Sequence, residues 1–183
     1  INIEHNNNTY QIDSSKGIDI SIPVDFIEGE NPKFYDTLNP KKEYYTSNEH
    51  EYNVEENAGC NIPLIKINIH CSGTHTETAS HVIKGAPKIN NIEHLNFIPS
   101  QLITITPENN TNESYHYNIE QDDQIITKEL LKNHMDIDQG FAKSLIIRTS
   151  PNEMSKKYRN YNENHHPYLT NNAIRYIKDI GIE

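Results

Sequence analysis

Alternation of hydrophobic and polar residues marks the predicted strands in the first half of the chain. Residues 18–22 place isoleucine at every second position and Pro23 follows, which predicts a half-buried strand. Residues 62–70 repeat the pattern with three isoleucines at alternate positions. We expect this second strand to run directly into a histidine-rich stretch at residues 70–81.

Two apolar runs predict strands in the second half of the chain. They occupy residues 102–106 and 144–149, and Pro107 and Pro151 follow them closely. Because proline cannot donate a hydrogen bond to a neighbouring strand, each run is expected to end there.

Two segments, both in the second half of the chain, have apolar residues at the spacing of a helix. Thr127 and Thr170 are typical N-cap residues, and Gly181 is a typical helix terminator. The apolar positions expected on these helices are Leu130, Leu131, Ala173, Ile174 and Ile177. Strands accompanied by few helices predict an α/β class with a mixed β-sheet core.

Polar segments connect these elements. Residues 1–17 lack an apolar period, which predicts an extended or partly ordered polar arm. Residues 28–59 are rich in turn-forming and charged residues, which predicts a long surface loop. We expect residues 1–183 to form a single domain, because this length supports one core.

Composition excludes several classes of protein. The 183 residues carry a net charge of -10, 34% are hydrophobic, and the mean hydropathy is -0.81. No run of Lys or Arg is longer than a pair, which argues against nucleic-acid binding because phosphates require clustered cations. No window approaches the roughly 18 apolar residues of a membrane span, and no signal segment is visible. We expect a cytoplasmic protein without a membrane partner.

The two cysteines, Cys60 and Cys71, are too few for a disulfide framework and suit a reducing compartment. A disulfide between them is the alternative interpretation.

The histidine-rich stretch at residues 70–81 concentrates metal-binding side chains. His75, Glu77 and His81 share a parity, so in an extended chain their side chains lie on one side and can converge. His70 has the opposite parity, but a turn at residues 72–73 would bring it back. Imidazoles with a carboxylate are ligands for Zn²⁺ or a similar divalent ion. The pattern predicts a metal site.

The same residues resemble a known family. Residues 73–77, followed by His81, are similar to the signature H-x-G-T-H-x-D-x-P-x-H of the putative cyclase family. Residues 19–23 resemble the opening strand of that family, and residues 147–149 resemble a later core strand. Residues 167–170 resemble the segment leading to its last metal-site region. The resemblance covers most of the chain from residue 18 onward.

The resemblance implies a swivelling β/β/α domain and a metal-dependent hydrolase. Members such as kynurenine formamidase and isatin hydrolase cleave an amide or lactam C–N bond of a small, often aromatic or cyclic, substrate. The resemblance also implies a homodimer or larger homo-oligomer. Residues 30–58 and 152–167 are candidate loops over the substrate.

The resemblance implies a role for each residue of the cluster. His70, His75 and Glu77 would bind the metal, Zn²⁺ or Mn²⁺, with Cys71 as the alternative to His70. His81 would be the catalytic proton carrier, although it could instead bind a second metal. The family has Asp where this chain has Glu77, which keeps the carboxylate and lengthens its reach.

The family also has a His and a Glu beyond an Asp-x-Pro-Ser stretch, and the sequence ends at Glu183 without them. We therefore expect the C-terminal part of the domain to be lacking. His165 and His166 are weak candidates for active-site residues, because they precede the segment at 167–170.

Two other functions remain open. One is a non-catalytic metal-binding or interaction protein of the same fold. The other is a structural zinc site with four protein ligands and no bound water, formed by Cys71, His70, His75 and His81.

Overall fold

The computed structural model describes residues 1–26, 31–92, 97–135, 140–162 and 165–182. The chain divides into two compact units. The first unit comprises Ile1–Asp19, Glu93–Asn152 and His165–Glu183, and the second comprises Ile20–Ile92 and Glu153–Asn164. The single domain expected over residues 1–183 stays a prediction.

Short strands and two helices make up the regular structure. The strands are β1 (Asn2–His5), β2 (Asn8–Gln11), β3 (Lys41–Tyr44), β4 (Thr46–Ser47), β5 (His50–Glu51), β6 (Pro63–Lys66), β7 (Ser100–Ile105), β8 (Ile125–Ile126), β9 (Ser144–Thr149) and β10 (Tyr168–Leu169). The helices are α1 (Lys128–His134) and α2 (Asn171–Asp179). Within the described ranges the strands pair as β1–β2, β3–β6, β4–β5, β7–β9 and β8–β10. This architecture is consistent with the predicted α/β class.

The core of the first unit is built on β7 and β9, which pair in parallel from Ser100 opposite Ser144 to Ile105 opposite Thr149. Both strands agree with the predictions for residues 102–106 and 144–149. Side chains alternate along β7, so Ile103 and Ile105 are buried while Leu102 is exposed. The buried core cluster consists of Ile103, Ile105, Ile126, Leu131 and Ala173.

The two predicted N-caps are confirmed. The hydroxyl of Thr127 accepts a hydrogen bond from the amide of Leu130, and that of Thr170 accepts one from the amide of Ala173. Each threonine follows one strand of the parallel β8–β10 pair, so the two helices start side by side.

The apolar face of α2 differs from the prediction at one position. Ala173 is buried, and Tyr176 and Ile177 pack against the core cluster. Ile174, predicted on this face, is 51% exposed. The spacing i, i+3, i+4 from Ala173 selects Tyr176 and Ile177. Gly181 follows α2 with φ +80, a backbone conformation typical of a residue that ends a helix.

Residues 1–17, for which an extended or partly ordered polar arm is predicted, contain an antiparallel hairpin formed by β1 and β2. The turn residues Asn6 and Asn7 have φ of 47 and 62, which asparagine tolerates well. The ring of Phe141 stacks on Tyr10 with centroids 4.1 Å apart. Because Phe141 is distant in sequence from Tyr10, the sequence around residues 1–17 did not indicate this packing.

The surface loop predicted for residues 28–59 contains three strands, β3, β4 and β5, in its described part. Residues 28–30 of this prediction lie outside the described residues. β3 pairs antiparallel with β6, and Lys41 lies opposite Lys66. The sequence did not predict β3 because its residues are almost all polar.

The strand predicted for residues 18–22 is absent from the structure, which describes all of these residues as irregular. Ile18 and Ile20 are 86% and 74% exposed. The amide of Ile22 donates to the side-chain hydroxyl of Thr74 at 2.9 Å and not to a neighbouring strand. The alternation of apolar and polar residues predicted a strand here, but residues 18–22 form none in the structure.

No helix in the described parts of the chain is both long enough and apolar enough to cross a membrane.

Candidate metal centre

A turn brings His70 toward the rest of the histidine-rich stretch. The predicted strand at residues 62–70 is observed only as β6, and the chain then turns at residues 69–71. The amide of Cys71 donates to the carbonyl of Asn68 at 3.2 Å within this turn. His70 is therefore presented by a turn and not by a strand, which corrects the expected direct entry.

Gly73 sets the path of the backbone between His70 and His75. Its φ is +87, in the left-handed region where glycine is favoured. A Cβ atom at this position would lie 3.2 Å from Cγ2 of Val24 and 3.9 Å from the carbonyl oxygen of Ile22. The next residue, Thr74, accepts the hydrogen bond from the amide of Ile22. The segment containing Ile22 and Val24 thus packs against the loop and holds it in place.

The structure brings His70, His75 and Glu77 together, with one potential ligand atom from each lying within 4.8 Å of the others. Oε2 of Glu77 lies 3.1 Å from Nδ1 of His70 and 3.6 Å from Nε2 of His75. Ligand atoms about 2.0–2.1 Å from one tetrahedral zinc ion are about 3.3 Å apart. These three residues could therefore hold a metal ion.

The second ring nitrogen of His75 supports this interpretation. Its Nδ1 lies 3.2 Å from the carbonyl oxygen of Gly73. A carbonyl can only accept, so Nδ1 is the donor in this hydrogen bond and Nε2 is the nitrogen that faces Glu77. Histidine ligands commonly donate their other N–H to a backbone carbonyl, which orients the ring. The backbone two residues before His75 thus orients its ring as it would for a ligand.

His81 lies beside the three-residue group. It ends a 3₁₀ turn, Ala79–His81, whose N-cap is Thr78. Its Nδ1 is 4.0 Å from Oε2 of Glu77, and its ring centroid is 4.1 Å from that of His70. This placement leaves its imidazole at the edge of the candidate metal centre, where it could exchange a proton with a bound molecule.

Thr78 fixes the position of His81, and the sequence interpretation did not identify it. Its hydroxyl accepts from the amide of Ser80 at 3.3 Å and donates to the carbonyl of Pro87 at 2.7 Å. A threonine immediately before a short polar turn is a typical N-cap signal and could have been recognised. The contact between Thr74 and Ile22 gave no local signal, because 52 residues separate the two.

The remaining candidates do not belong to the three-residue group. Cys71 is partly buried, and both it and Cys60 are free thiols, so the alternative disulfide is absent. The group of three potential ligands does not include Cys71. His165 is in the first unit, with Nδ1 3.8 Å from Oδ1 of Asp123, and His166 is exposed.

Comparison with known proteins identifies a family. A family model described as Putative cyclase matches residues 18–183. No curated protein matches the chain significantly, and neither does any solved structure.

Proposed function

The chain belongs to the Putative cyclase family, and from this premise we propose that it is a metal-dependent hydrolase acting on an amide or lactam C–N bond of a small substrate. One observation carries the proposal. His70, His75 and Glu77 converge on a single point, on the stretch of chain that resembles the signature of the family. A non-catalytic metal-binding protein of the same fold is the competing function.

The donor set supports a catalytic ion. Two imidazoles and one carboxylate are the protein ligands of several catalytic zinc sites, and they leave a coordination position open. Their side chains are 39%, 27% and 49% exposed for His70, His75 and Glu77, so small molecules can reach them. We propose Zn²⁺ or Mn²⁺ as the ion. When bound, the ion would polarise the substrate carbonyl and acidify a water molecule.

The proposed chemistry gives the protein side chains separate tasks. The carbonyl of Gly73 keeps the proton on Nδ1 of His75, and the loop around Thr74 holds the backbone in place. His81 lies next to the group without belonging to it, which suits a general base that takes a proton and returns it to the leaving nitrogen. His81 is therefore the proposed catalytic residue.

Three further features belong to the same proposal. We infer that the fold is the swivelling β/β/α domain of the family. We also infer that the protein acts as a homodimer or larger homo-oligomer on a small-molecule substrate. Analytical ultracentrifugation at several protein concentrations would test the oligomeric state.

Metal analysis combined with activity tests the central proposal. Wild type and His75→Ala would be freed of metal with a chelator, reloaded with Zn²⁺ or Mn²⁺, desalted and analysed for bound metal. We expect about one ion per chain in wild type and much less in His75→Ala. The proposal fails if the two proteins retain the same amount of metal.

Activity would be measured on N-formyl aromatic amines, isatin-like lactams and cyclic amides. His81→Ala is expected to retain the metal and to lose about 100-fold or more in kcat, within the range of general acid–base catalysis. Metal binding without hydrolysis of any compound would favour the non-catalytic function. Full activity of His81→Ala would remove His81 from its proposed role.

A further inference from the structure

An open cavity of about 760 Å³ lies beside the β3–β6 ladder in the second unit. Leu38, Pro40 and Ile67 contribute apolar surface to it. Leu38 is 89% exposed and Ile67 is 37% exposed. Large aliphatic side chains exposed at a concave surface are typical of ligand sites. The cavity therefore suits an apolar group, and we refer to it as the lysine cavity because of its charged residues.

Two lysines and one glutamate also line the lysine cavity. Nζ of Lys41 lies 2.7 Å from Oε1 of Glu43, and Nζ of Lys66 lies 2.9 Å from Oε2 of the same carboxylate. Hydrogen bonds from Lys41 and Lys66, together with their charges, lower the pKa of Glu43 to about 2. The carboxylate of Glu43 is therefore ionised at neutral pH, and two lysines against one carboxylate give the group a formal net charge of +1.

The lysines retain the capacity to bind a second carboxylate. An ammonium group has three N–H donors, and each lysine directs its charge to one oxygen of Glu43. A ligand carboxylate could accept from both lysines and bring the net charge of the group to zero. Charge-assisted hydrogen bonds of this kind are stronger than those to a neutral acceptor. The charges thus favour a monoanion, and the apolar walls favour one with a hydrophobic body.

Hydrogen bonds to Cys71 connect the lysine cavity to the candidate metal centre. Its amide donates to the carbonyl of Asn68, which lines the cavity, and its carbonyl accepts from the amide of Phe34. The carbonyl of Phe34 accepts from the hydroxyl of Thr37 on another part of the wall. Asn68 is two residues from His70, so their Cα atoms are at most about 7.6 Å apart. A short stretch of backbone therefore joins the cavity wall to the candidate metal centre.

We propose that the lysine cavity binds the carboxylate of a small organic monocarboxylate, with its apolar body against Leu38 and Ile67. The identification of this ligand as the substrate rests on the proposed hydrolase function. The substrate class is then an amide that carries a free carboxylate remote from the scissile bond. Lys41 and Lys66 determine specificity for it and take no part in the chemistry.

Binding to metal-free protein tests the cavity without relying on catalysis. In a chelating buffer, benzoate and the neutral benzamide would be titrated into wild type, Lys66→Gln and Lys84→Gln, followed by nuclear magnetic resonance. Lys84 is an exposed lysine of the same unit that does not line the cavity. We expect saturable benzoate binding that weakens about tenfold or more in Lys66→Gln and is unchanged in Lys84→Gln. Benzamide is expected to bind more weakly than benzoate to wild type.

The proposal is overturned if benzoate does not bind to wild type, or if Lys66→Gln binds it as tightly as wild type does. Leu38→Ser provides a second variant. Because Leu38 is almost fully exposed, its loss leaves the fold intact, and we expect several-fold weaker benzoate binding with no change for acetate. Equal benzoate binding by wild type and Leu38→Ser would contradict the proposed position of the apolar body.

Kinetics separate this proposal from the proposed function. The substrates are N-formylaniline and its carboxylate-bearing analogue, N-formyl-4-aminobenzoate. Lys66→Gln is expected to raise KM about tenfold for the second compound, with kcat unchanged and no effect on the first. If both compounds are hydrolysed and Lys66→Gln changes neither KM, the substrate role of the cavity fails and the hydrolase stands. If benzoate binding depends on Lys66 and neither compound is hydrolysed, the cavity stands and the hydrolase proposal loses support.

Discussion

Nδ1 of His75 donates a hydrogen bond to the carbonyl oxygen of Gly73, two residues earlier, at 3.2 Å. The orientation of that carbonyl depends on the left-handed conformation of Gly73, with φ +87. Nε2 of the same imidazole consequently faces Glu77. A residue that supplies no ligand atom therefore determines which nitrogen of His75 is free to bind a metal.

Gly73→Ala is expected to weaken metal binding about tenfold or more, because loss of a group that orients a ligand typically costs 10–100-fold in affinity. The new methyl group would also approach Val24, at 3.2 Å. Gly59→Ala is the matched control, since an added Cβ there meets no atom within 4 Å. Metal titration with a competing chelator would measure both. Equal affinities for the two variants would contradict the orienting role.

Substitution of neighbouring residues would decide between His70 and Cys71 as ligand. Because His70 contacts Glu77 and the three-residue group does not contain Cys71, we expect His70→Ala to lose bound metal and Cys71→Ser to retain it. Metal content after chelator treatment and reloading is the measurement. Loss of metal in Cys71→Ser alone would favour the thiolate, and loss in both variants would favour the structural zinc site.

Thr170→Val is expected to destabilise the protein by about 0.5–2 kcal/mol, the usual range for loss of an N-cap. The hydroxyl of Thr170 is buried, accepts from the amide of Ala173 and donates to the carboxylate of Glu113. Thr106→Val is the control, because Thr106 is exposed and caps no helix. Denaturant unfolding would compare the two. A loss no larger than that of the control would contradict the capping role.

The carboxylate of Glu43 is expected to titrate at a pKa of about 2, below its ordinary value of 4.5, because Lys41 and Lys66 stabilise its charged form. A depressed pKa in the folded state contributes stability above pH 4.5, and this contribution is lost as the pH falls from 4.5 through 2. Lys66→Gln should raise the pKa and reduce that part of the pH dependence. Carbon-detected titration of the side chain would measure it. An unchanged midpoint in Lys66→Gln would contradict the ion pair.

Local patterns were sufficient to predict the part of the fold that carries the core. β7 and β9 each contain three large aliphatic residues and are followed closely by proline, and both helices begin at a threonine whose hydroxyl caps them. The proximity of the potential ligands His75 and Glu77 was also predictable, because alternation places them on one side of an extended segment. In these regions sequence neighbours determine the structure.

Other features depend on partners distant in sequence. β3 pairs with β6 through polar residues, so its sequence carries no hydrophobic period. Residues 18–22 have the period but make no ladder, since Ile22 bonds to the hydroxyl of Thr74. Neither contact can be predicted from the local sequence, because the partners are far apart along the chain. The position of His70 beside Glu77 likewise depends on a turn of the backbone. The sequence indicated a turn but not its geometry.

Metal binding and folding of the second unit are expected to be coupled, because this unit buries few apolar side chains. The apolar core lies in the first unit, whereas Ala58 is the one buried aliphatic side chain, proline apart, among the described residues of the second. A ligand present at 100 times its dissociation constant stabilises the state that binds it by about 2.7 kcal/mol. In a unit held mainly by strand pairing and loop hydrogen bonds, that amount would be a large share of the total. We therefore expect hydrogen exchange to slow on metal addition throughout residues 31–92, so that the ion acts as part of the scaffold as well as of the chemistry.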